Sequence, residues 1–388
     1  MSEVLNTKAI LDELKVCVLL ATYNNSGTIA AVIDGISRIT RDLIVVNDGS
    51  TDDTASILRL FPDIQVISYP QNKGKGYALL TGFRYAISKG YNYAITIDSD
   101  GQHNPDDISA FAEKLQETGL SLIIGVRNME QASVPGKSNF GRKFSNFWFK
   151  VETGISHNDT QSGFRMYPLQ PVKSMKFFTP KFEFEIEILV RLAWKGIKIE
   201  SVPVSVRYFS KKERVSHFRP FQDFTRISIL NTALVFLAFV WFRPIMYLKG
   251  KDCPGFFLNN SETILTHSLS VALGVFMGII PIWGFQLVSA IALAFLFKLN
   301  KPLVILFANI SIPPIIPLIL FLSMICGKFW MAEPNIPLVY SALSMETIKP
   351  FFLQYFIGSI SLAVLAAIVF GTATFIVLST FKVAKKLL

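Results

Sequence analysis

The chain has 388 residues, of which 51% are hydrophobic, and a mean hydropathy of +0.41 excludes an ordinary soluble enzyme. Its formal net charge of +10 accompanies long apolar segments, which favours an anionic lipid surface over nucleic acid as the partner. The three cysteines, Cys17, Cys253 and Cys326, are far apart, which predicts reduced, structural thiols and no cysteine metal site.

Residues 1–220 alternate short apolar runs with amphipathic segments, which predicts an α/β domain with a mostly parallel sheet. The predicted strands cover residues 15–22, 43–47, 64–69, 92–97 and 120–126. Ligands of such sheets bind beyond the carboxyl ends of the strands. Asp48, Asp98 and Arg127 all follow or end predicted strands, so we expect them to share one site.

The pattern changes near residue 220, where large apolar residues begin to dominate. Residues 221–250 mix polar and apolar positions and predict an interfacial amphipathic helix, with a spanning helix as the alternative. Residues 251–388 predict an all-α transmembrane domain of about four spans, although residues 285–299 and the proline-broken 303–326 could instead form re-entrant hairpins.

The charges between the apolar segments predict the topology. Lys298, Lys301 and the lysines at the end of the chain lie in the cytoplasm if the number of crossings is even. Residues 1–15 are polar and do not form a signal peptide. We therefore expect a multi-pass integral protein of the plasma or inner membrane with its first domain in the cytoplasm.

The segment Asp98-Ser99-Asp100-Gly101-Gln102 directly follows a buried strand. Two carboxylates and an amide oxygen suit a hard cation such as Mg²⁺ or Mn²⁺, which usually leaves positions open for substrate phosphates. The alternative is that these aspartates only form a turn. If the segment is a cation site, Asp98, Asp100 and Gln102 hold the metal.

Three other segments could contact a nucleotide. Thr22, Tyr23 and Asn24 could hold a nucleobase or form a plain loop, and Asp48 could accept hydrogen bonds from a nucleoside or cap a helix. Lys75 belongs to a Gly-Lys-Gly sequence that opens a helix, where backbone N–H groups and a cation favour phosphate oxygens.

Together these motifs resemble family 2 glycosyltransferases of the polyprenyl-phosphate group, which includes dolichyl-phosphate mannosyl- and glucosyltransferases. The resemblance covers roughly residues 14–220. It rests on Ala21–Asn24, Val46–Asp52, Asn72–Gly76, Asp98–His103, Gly125–Arg127 and Asp159–Arg165. It implies a GT-A fold, a nucleotide-sugar donor and an inverting transfer.

The resemblance also implies that Asp98, Asp100 and Gln102 hold the metal, that Asp48 contacts the nucleoside and that Arg127 and Arg165 lie near phosphates. The candidate sets combine these roles with the interpretation of the individual segments. The nucleotide-sugar set is Thr22, Tyr23, Asn24, Asp48, Lys75, Asp98 and Ser99. The acceptor-phosphate set is Arg127, Arg142, Arg165, Arg207, Ser216 and His217. The catalytic set is Asp100, Arg127, Arg165, Glu185 and Glu187, and the sequence does not choose between the two glutamates as a base or as a group that orients sugar hydroxyls.

Two departures from the family pattern matter. Many members carry Gly-Glu-Ser-Lys where this chain reads Arg214-Val215-Ser216-His217, which would exchange a permanent cation for a titratable one. The Gln-x-x-Arg-Trp signature of processive synthases is missing. The membrane half resembles an uncharacterised domain family that supplies no activity.

The expected function is transfer of a hexose from a UDP- or GDP-sugar to a polyprenyl phosphate. An acceptor phosphate is already anionic and needs no strong general base. The alternatives are a glycosyltransferase that acts on a lipid hydroxyl, which would require Glu185 or Glu187 as base, and a lipid-binding or lipid-translocating protein with a sensor domain. The sequence leaves open whether the chain forms a homo-oligomer.

Overall fold

The computed structural model describes residues 2–127, 136–207, 219–238, 242, 262–282, 285–311, 315–331 and 351–387. The chain forms two compact units, Met1–Ala238 and Phe239–Leu388. Ser216 and His217, which were predicted to bind the acceptor phosphate, lie outside the described residues.

One sheet of seven strands lies at the centre of the described part of the first unit. The strands are β1 (Val16–Thr22), β2 (Leu43–Asn47), β3 (Gln65–Ser68), β4 (Tyr93–Asp98), β5 (Ser121–Arg127), β6 (Arg165–Pro168) and β7 (Lys198–Val204). Their order is β3-β2-β1-β4-β6-β5-β7, and only β6 runs antiparallel to its neighbours. The predicted α/β domain with a mostly parallel sheet is confirmed.

Helices cover both faces of this sheet. They are α1 (Ser2–Glu13), α2 (Ile29–Ser37), α3 (Thr54–Leu58), α4 (Lys75–Ser88), α5 (Ile108–Thr118), α6 (Gly136–Thr153), α7 (Leu169–Lys173), α8 (Phe184–Trp194) and α9 (Pro220–Leu237). The residues of β1 alternate between two cores: Val18 packs in one and Leu19 in the other. This double burial explains the continuous apolar run of a central parallel strand.

The described second unit consists of helices. They are α10 (Ile264–Ile279), α11 (Gln286–Leu296), α12 (Lys301–Ala308), α13 (Ile316–Trp330) and α14 (Phe352–Leu387). Small residues on α10 allow close packing: a Cβ built on Gly274 would lie 2.6 Å from the Cβ atom of Phe307 just before the end of α12. This contact leaves no room for a larger side chain at that position.

One helix in the described ranges is long and apolar enough to cross a membrane, over Phe352–Thr380. Three other apolar helices, α10, α11 and α13, have 16, 11 and 15 residues, fewer than the roughly 20 that a span requires. The expectation of about four spans therefore stays a prediction. The predicted interfacial segment 221–250 begins as helix α9, which belongs to the first compact unit as far as Leu237.

Candidate active site

The carboxyl ends of three parallel strands bring the predicted site residues to one edge of the sheet. Thr22 at the end of β1 pairs with Asn47 at the end of β2, and Ala21 pairs with Asp98 at the end of β4. Because β6 is antiparallel, its first residue, Arg165, reaches the same edge. The sheet topology thus assembles the site from segments that are distant in the chain.

The loop after β1 is bound to the loop after β2. Asn24 adopts a left-handed conformation with φ of 51°, which asparagine tolerates better than most residues. Its Oδ1 accepts from the Thr51 backbone N–H at 2.7 Å, and its own N–H donates to Ser50 Oγ at 3.0 Å. Thr22 Oγ1 is buried and has no hydrogen-bond partner in the described part of the chain.

Asp48 is buried and holds the loop that precedes α4. Its Oδ1 accepts from the Lys73 N–H at 2.8 Å, and its Oδ2 accepts from the Gly74 N–H at 2.9 Å and from Asn72 Nδ2 at 3.1 Å. A carboxylate has about four acceptor positions, so these bonds leave roughly one for a ligand. The predicted nucleoside contact through Asp48 stays a prediction.

The segment after β4 is stabilised by its own polar groups. Ser99 Oγ accepts from Asn25 Nδ2 at 2.8 Å and donates to the Ala21 carbonyl at 3.2 Å. Asp100 Oδ1 accepts from the Gln102 N–H at 3.0 Å, and the Gln102 carbonyl accepts from the Arg207 N–H at 2.8 Å. The metal-binding candidates therefore lie on one fixed turn.

The donor set on this turn fits a hard divalent cation that also binds substrate oxygens. Asp98 keeps a third of its side chain exposed, and Gly163 leaves space beside it, because a Cβ there would lie 2.8 Å from Asp98 Oδ2. Within the residues that the structure describes, no group of three His, Cys, Asp or Glu side chains could hold a metal. A metal at Asp98 and Asp100 would thus also need oxygens from the Gln102 amide and a diphosphate.

Lys75 connects this turn to helix α8. Its Nζ lies 2.7 Å from Asp98 Oδ1 and 3.0 Å from Glu185 Oε2. Burial opposes charge on both sides of the pair. The two carboxylates nevertheless raise the pKa of Lys75, and the Lys75 charge helps to hold the pKa of Asp98 below its ordinary value. The Glu185 carboxylate is therefore in an ion pair with the Lys75 ammonium group.

Arg127 is held in a bidentate ion pair by Asp159, whose side chain is fully buried. Arg127 Nε and one terminal nitrogen donate to the two Asp159 oxygens at 2.7 and 2.9 Å. Burial raises the pKa of Asp159, but the bonds from Arg127 outweigh it and the pKa is lowered. The Asp159–Arg165 motif assigns no role to Asp159, and an acid with no role beside a motif arginine is the sequence signal for this ion pair.

Arg165 is 1% exposed and is surrounded by protein groups. It donates to the carbonyls of Ser162 at 2.6 Å, Thr160 at 2.8 Å and Glu185 at 2.8 Å, and to the Tyr167 hydroxyl. This geometry favours a structural brace between the 160–163 segment and α8 over a ligand of the acceptor phosphate.

The remaining candidates also differ in their surroundings. Glu187 is 2% exposed and accepts from the Thr179 hydroxyl at 2.6 Å and from Arg191 at 2.7 Å, so it is not brought to the Lys75 cluster. Arg142 donates to the Asn158 carbonyl at 2.8 Å, and Arg207 is exposed. Tyr23 is half-buried beside Asn24.

Comparison with known proteins identifies the family. Residues 17–171 match the model described as "Glycosyl transferase family 2". "Uncharacterized protein MJ0544" of Methanocaldococcus jannaschii is 30% identical over 239 positions, covering 58% of this chain and 98% of that relative. The chain belongs to glycosyl transferase family 2. It is therefore a glycosyltransferase, and the resemblance drawn from its motifs is confirmed.

Further matches include a curated relative, a solved structure and a second family model. "UDP-N-acetylglucosamine--dolichyl-phosphate N-acetylglucosaminyltransferase" of Methanococcus voltae is 25% identical, with 56% of this chain and 96% of that relative covered. A glucosyl-3-phosphoglycerate synthase structure from Mycobacterium tuberculosis, with Mn²⁺ and UDP, superposes with a TM-score of 0.47 at 22% identity over 61% of this chain and 82% of its own. Residues 265–386 of the glycosyltransferase match "Uncharacterized protein conserved in bacteria (DUF2062)".

Proposed function

We propose that this glycosyltransferase moves a hexose from a UDP- or GDP-sugar to a polyprenyl phosphate at the cytoplasmic face of a membrane, with inversion at the sugar carbon. Its relative from Methanococcus voltae is named for transfer to dolichyl phosphate. The apolar helix over Phe352–Thr380 supports a membrane location.

The observation that carries the proposal is the state of the two glutamates that could act as a base. The Glu185 carboxylate is bound by the Lys75 ammonium at 3.0 Å. The Glu187 carboxylate is buried against Thr179 and Arg191. A lipid hydroxyl would require a free base to remove its proton, whereas a phosphate is already an anion at neutral pH. This arrangement favours a phosphate acceptor.

The donor end of the site would bind the diphosphate. Asp98, Asp100 and Gln102 would hold a divalent metal, which when bound would neutralise the charge that develops on the leaving nucleoside diphosphate. Lys75 binds Asp98 Oδ1 at 2.7 Å and helps to hold the pKa of Asp98 below its ordinary value, which favours the ionised form. Asp48 accepts from the Gly74 N–H and so fixes the start of α4, the helix that carries Lys75.

The acceptor end depends on arginine. Arg127 is oriented by Asp159 and is our candidate to hold the acceptor phosphate, with Arg142 and Arg207 as further cations. Arg165 is proposed instead as a positioning residue, because its guanidinium donates to three carbonyls.

A donor screen with polyprenyl phosphate and Mg²⁺ or Mn²⁺ tests the proposal. Asp100→Ala should abolish turnover while the protein remains folded, with Asp106→Ala, on a neighbouring exposed turn, as the matched control. The same screen with a lipid hydroxyl acceptor tests the alternative: transfer to that acceptor that disappears in Glu185→Gln would favour it. Full activity of Asp100→Ala with metal present would defeat the metal assignment.

A further inference from the structure

Phe178 is the most exposed large apolar side chain in the described part of the first unit, with 82% of its surface accessible. It lies in the segment between α7 and α8, residues 174–183, which we name the Phe178 loop. Single exposed apolar residues are common on protein surfaces and need no explanation. The hydrogen bonds that hold this loop in place do require an explanation.

Hydrogen bonds fix the backbone at Phe178 and in the two residues that follow it. The Glu187 carboxylate accepts from the Phe178 N–H at 3.2 Å and from the Thr179 N–H at 3.0 Å. The Pro180 carbonyl accepts from the Tyr77 N–H at 2.8 Å. Burying a carboxylate is unfavourable unless it is hydrogen-bonded. The bonds that compensate for the burial of Glu187 hold the loop that places the Phe178 ring in solvent.

The charges around the ring are cationic. Lys176 and Lys181 lie on the loop, and the Arg191 guanidinium, which is paired with Glu187 at 2.7 Å, lies 5.7 Å from the Phe178 ring centroid. The two acids nearby, Glu183 and Glu187, are only 5% and 2% exposed. The surface therefore presents an aromatic side chain among positive charges, a composition typical of contacts with anionic lipid headgroups.

The loop also borders the active site. A Cβ built on Gly74 would lie 2.7 Å from the Pro180 carbonyl and 2.8 Å from Lys181 Cγ. Gly74 directly precedes Lys75, which binds both Asp98 and Glu185. Anything that the Phe178 loop contacts is consequently brought close to the site.

We propose that the Phe178 loop inserts Phe178 into an anionic bilayer next to the active site, so that a lipid-borne acceptor enters beside it. The proposal rests on the lipid acceptor of the proposed function. The cations attract the headgroups and the ring partitions into the apolar boundary below them. A protein partner on the loop is the competing occupant, and the experiment distinguishes the two.

The first test measures insertion without turnover. Phe178→Cys is labelled with an environment-sensitive dye in the full chain, in a background with Cys253→Ser and Cys326→Ser; Cys17 is fully buried and stays unlabelled. Leu60→Cys is the matched control, since Leu60 is 75% exposed. It lies in the loop before β3, and the site lies at the carboxyl ends of the strands.

In nanodiscs of anionic lipid that carry nitroxide groups, we expect the dye at position 178 to be quenched several-fold more than the dye at position 60. The difference should shrink in zwitterionic lipid. Equal quenching at both positions would overturn the proposal, as would a dye at position 178 that is shielded from both lipid and water, because a protein would then cover the loop.

The second test uses kinetics. Phe178→Ser should raise KM for a long-chain polyprenyl phosphate in anionic bilayers about tenfold and leave the rate with a short, water-soluble polyprenyl phosphate unchanged. Leu60→Ser should change neither. Equal losses with both acceptors would contradict insertion. If the wild type glycosylates neither acceptor, the proposed function fails, and the quenching result still decides the loop.

Discussion

Replacing Lys75 with methionine tests the centre of the site. Methionine keeps most of the length of lysine but removes the ammonium group that lies 2.7 Å from Asp98 Oδ1 and 3.0 Å from Glu185 Oε2. The two carboxylates would then face the same partly buried space without a cation between them.

The structure sets the size of the effect. Removing one partner of a fully buried ion pair costs about 3–5 kcal/mol. The side chains of Lys75, Asp98 and Glu185 are 20%, 33% and 14% exposed, so solvent screens part of the interaction. We therefore expect a loss of about 1–3 kcal/mol in the free energy of unfolding. The loss of one positioned charge should lower kcat by roughly 100-fold or more.

The effect on stability should depend on pH. In the wild type, burial raises the pKa of Asp98, but the Lys75 charge and smaller contributions from His103 and Arg127 lower it overall. Without Lys75, burial acts with less opposition and the pKa of Asp98 rises. A carboxyl group with a raised pKa is destabilising when ionised and is relieved by protonation. The Tm deficit of Lys75→Met should therefore shrink as the pH falls from 7 toward 4.5.

The assay compares Tm at several pH values and single-turnover rates at pH 7 for detergent-solubilised full chains. Lys89→Met is the matched control, because Lys89 lies just beyond the other end of α4 and contacts only the Tyr85 ring among the contacts described for its side chain. A Lys75→Met enzyme with wild-type kcat, or with a Tm deficit that is the same at pH 7 and pH 4.5, would refute the reasoning.

Three other perturbations test the surrounding groups. Asp159→Asn removes the negative charge and one of the two acceptor oxygens that hold Arg127, so kcat should fall about 100-fold and the free energy of unfolding by about 3 kcal/mol. Unchanged kinetics would exclude Arg127 from the site. Gly163→Ala places a methyl group 2.8 Å from Asp98 Oδ2 and should raise the half-saturating Mg²⁺ or Mn²⁺ concentration about tenfold or more, with little change in Tm. Burial lowers the pKa of His157, so below pH about 6.5 the unfolded chain takes up a proton before the folded chain does. Stability should therefore be lost as the pH falls below that value, and His157→Phe should flatten that part of the Tm profile.

The sequence predicted much of this site because parallel strands bring their carboxyl ends together. The positions of Asp98 and Arg127 at strand ends follow from the apolar runs that precede them, and so does the position of Asp48 directly after β2. The pairing of Thr22 with Asn47 and of Ala21 with Asp98 then places their loops side by side. Strand ends could thus be predicted from the local pattern.

The sequence could not predict how each charge is used. Arg165 and Arg127 belong to similar motifs, yet the Arg165 side chain is bound by carbonyls and Arg127 by a carboxylate. Glu185 and Glu187 are two residues apart on α8, and different partners bind them. Those partners come from distant segments, so only tertiary contacts distinguish the roles. The four-residue strand β6 is too short for its direction to show in the sequence.

The insertion of β6 between β4 and β5 has a consequence for synthesis on the ribosome. Thr96 pairs with Arg165 and Ile123 pairs with Met166, so β4 and β5 are both completed by a strand that emerges about 40 or more residues later. Until then a nascent chain exposes the edges of β4 and β5 that β6 will pair with, and open strand edges are prone to aggregation and attract chaperones. Premature termination before residue 165 should yield an insoluble fragment, whereas a stop after β7 leaves the sheet complete.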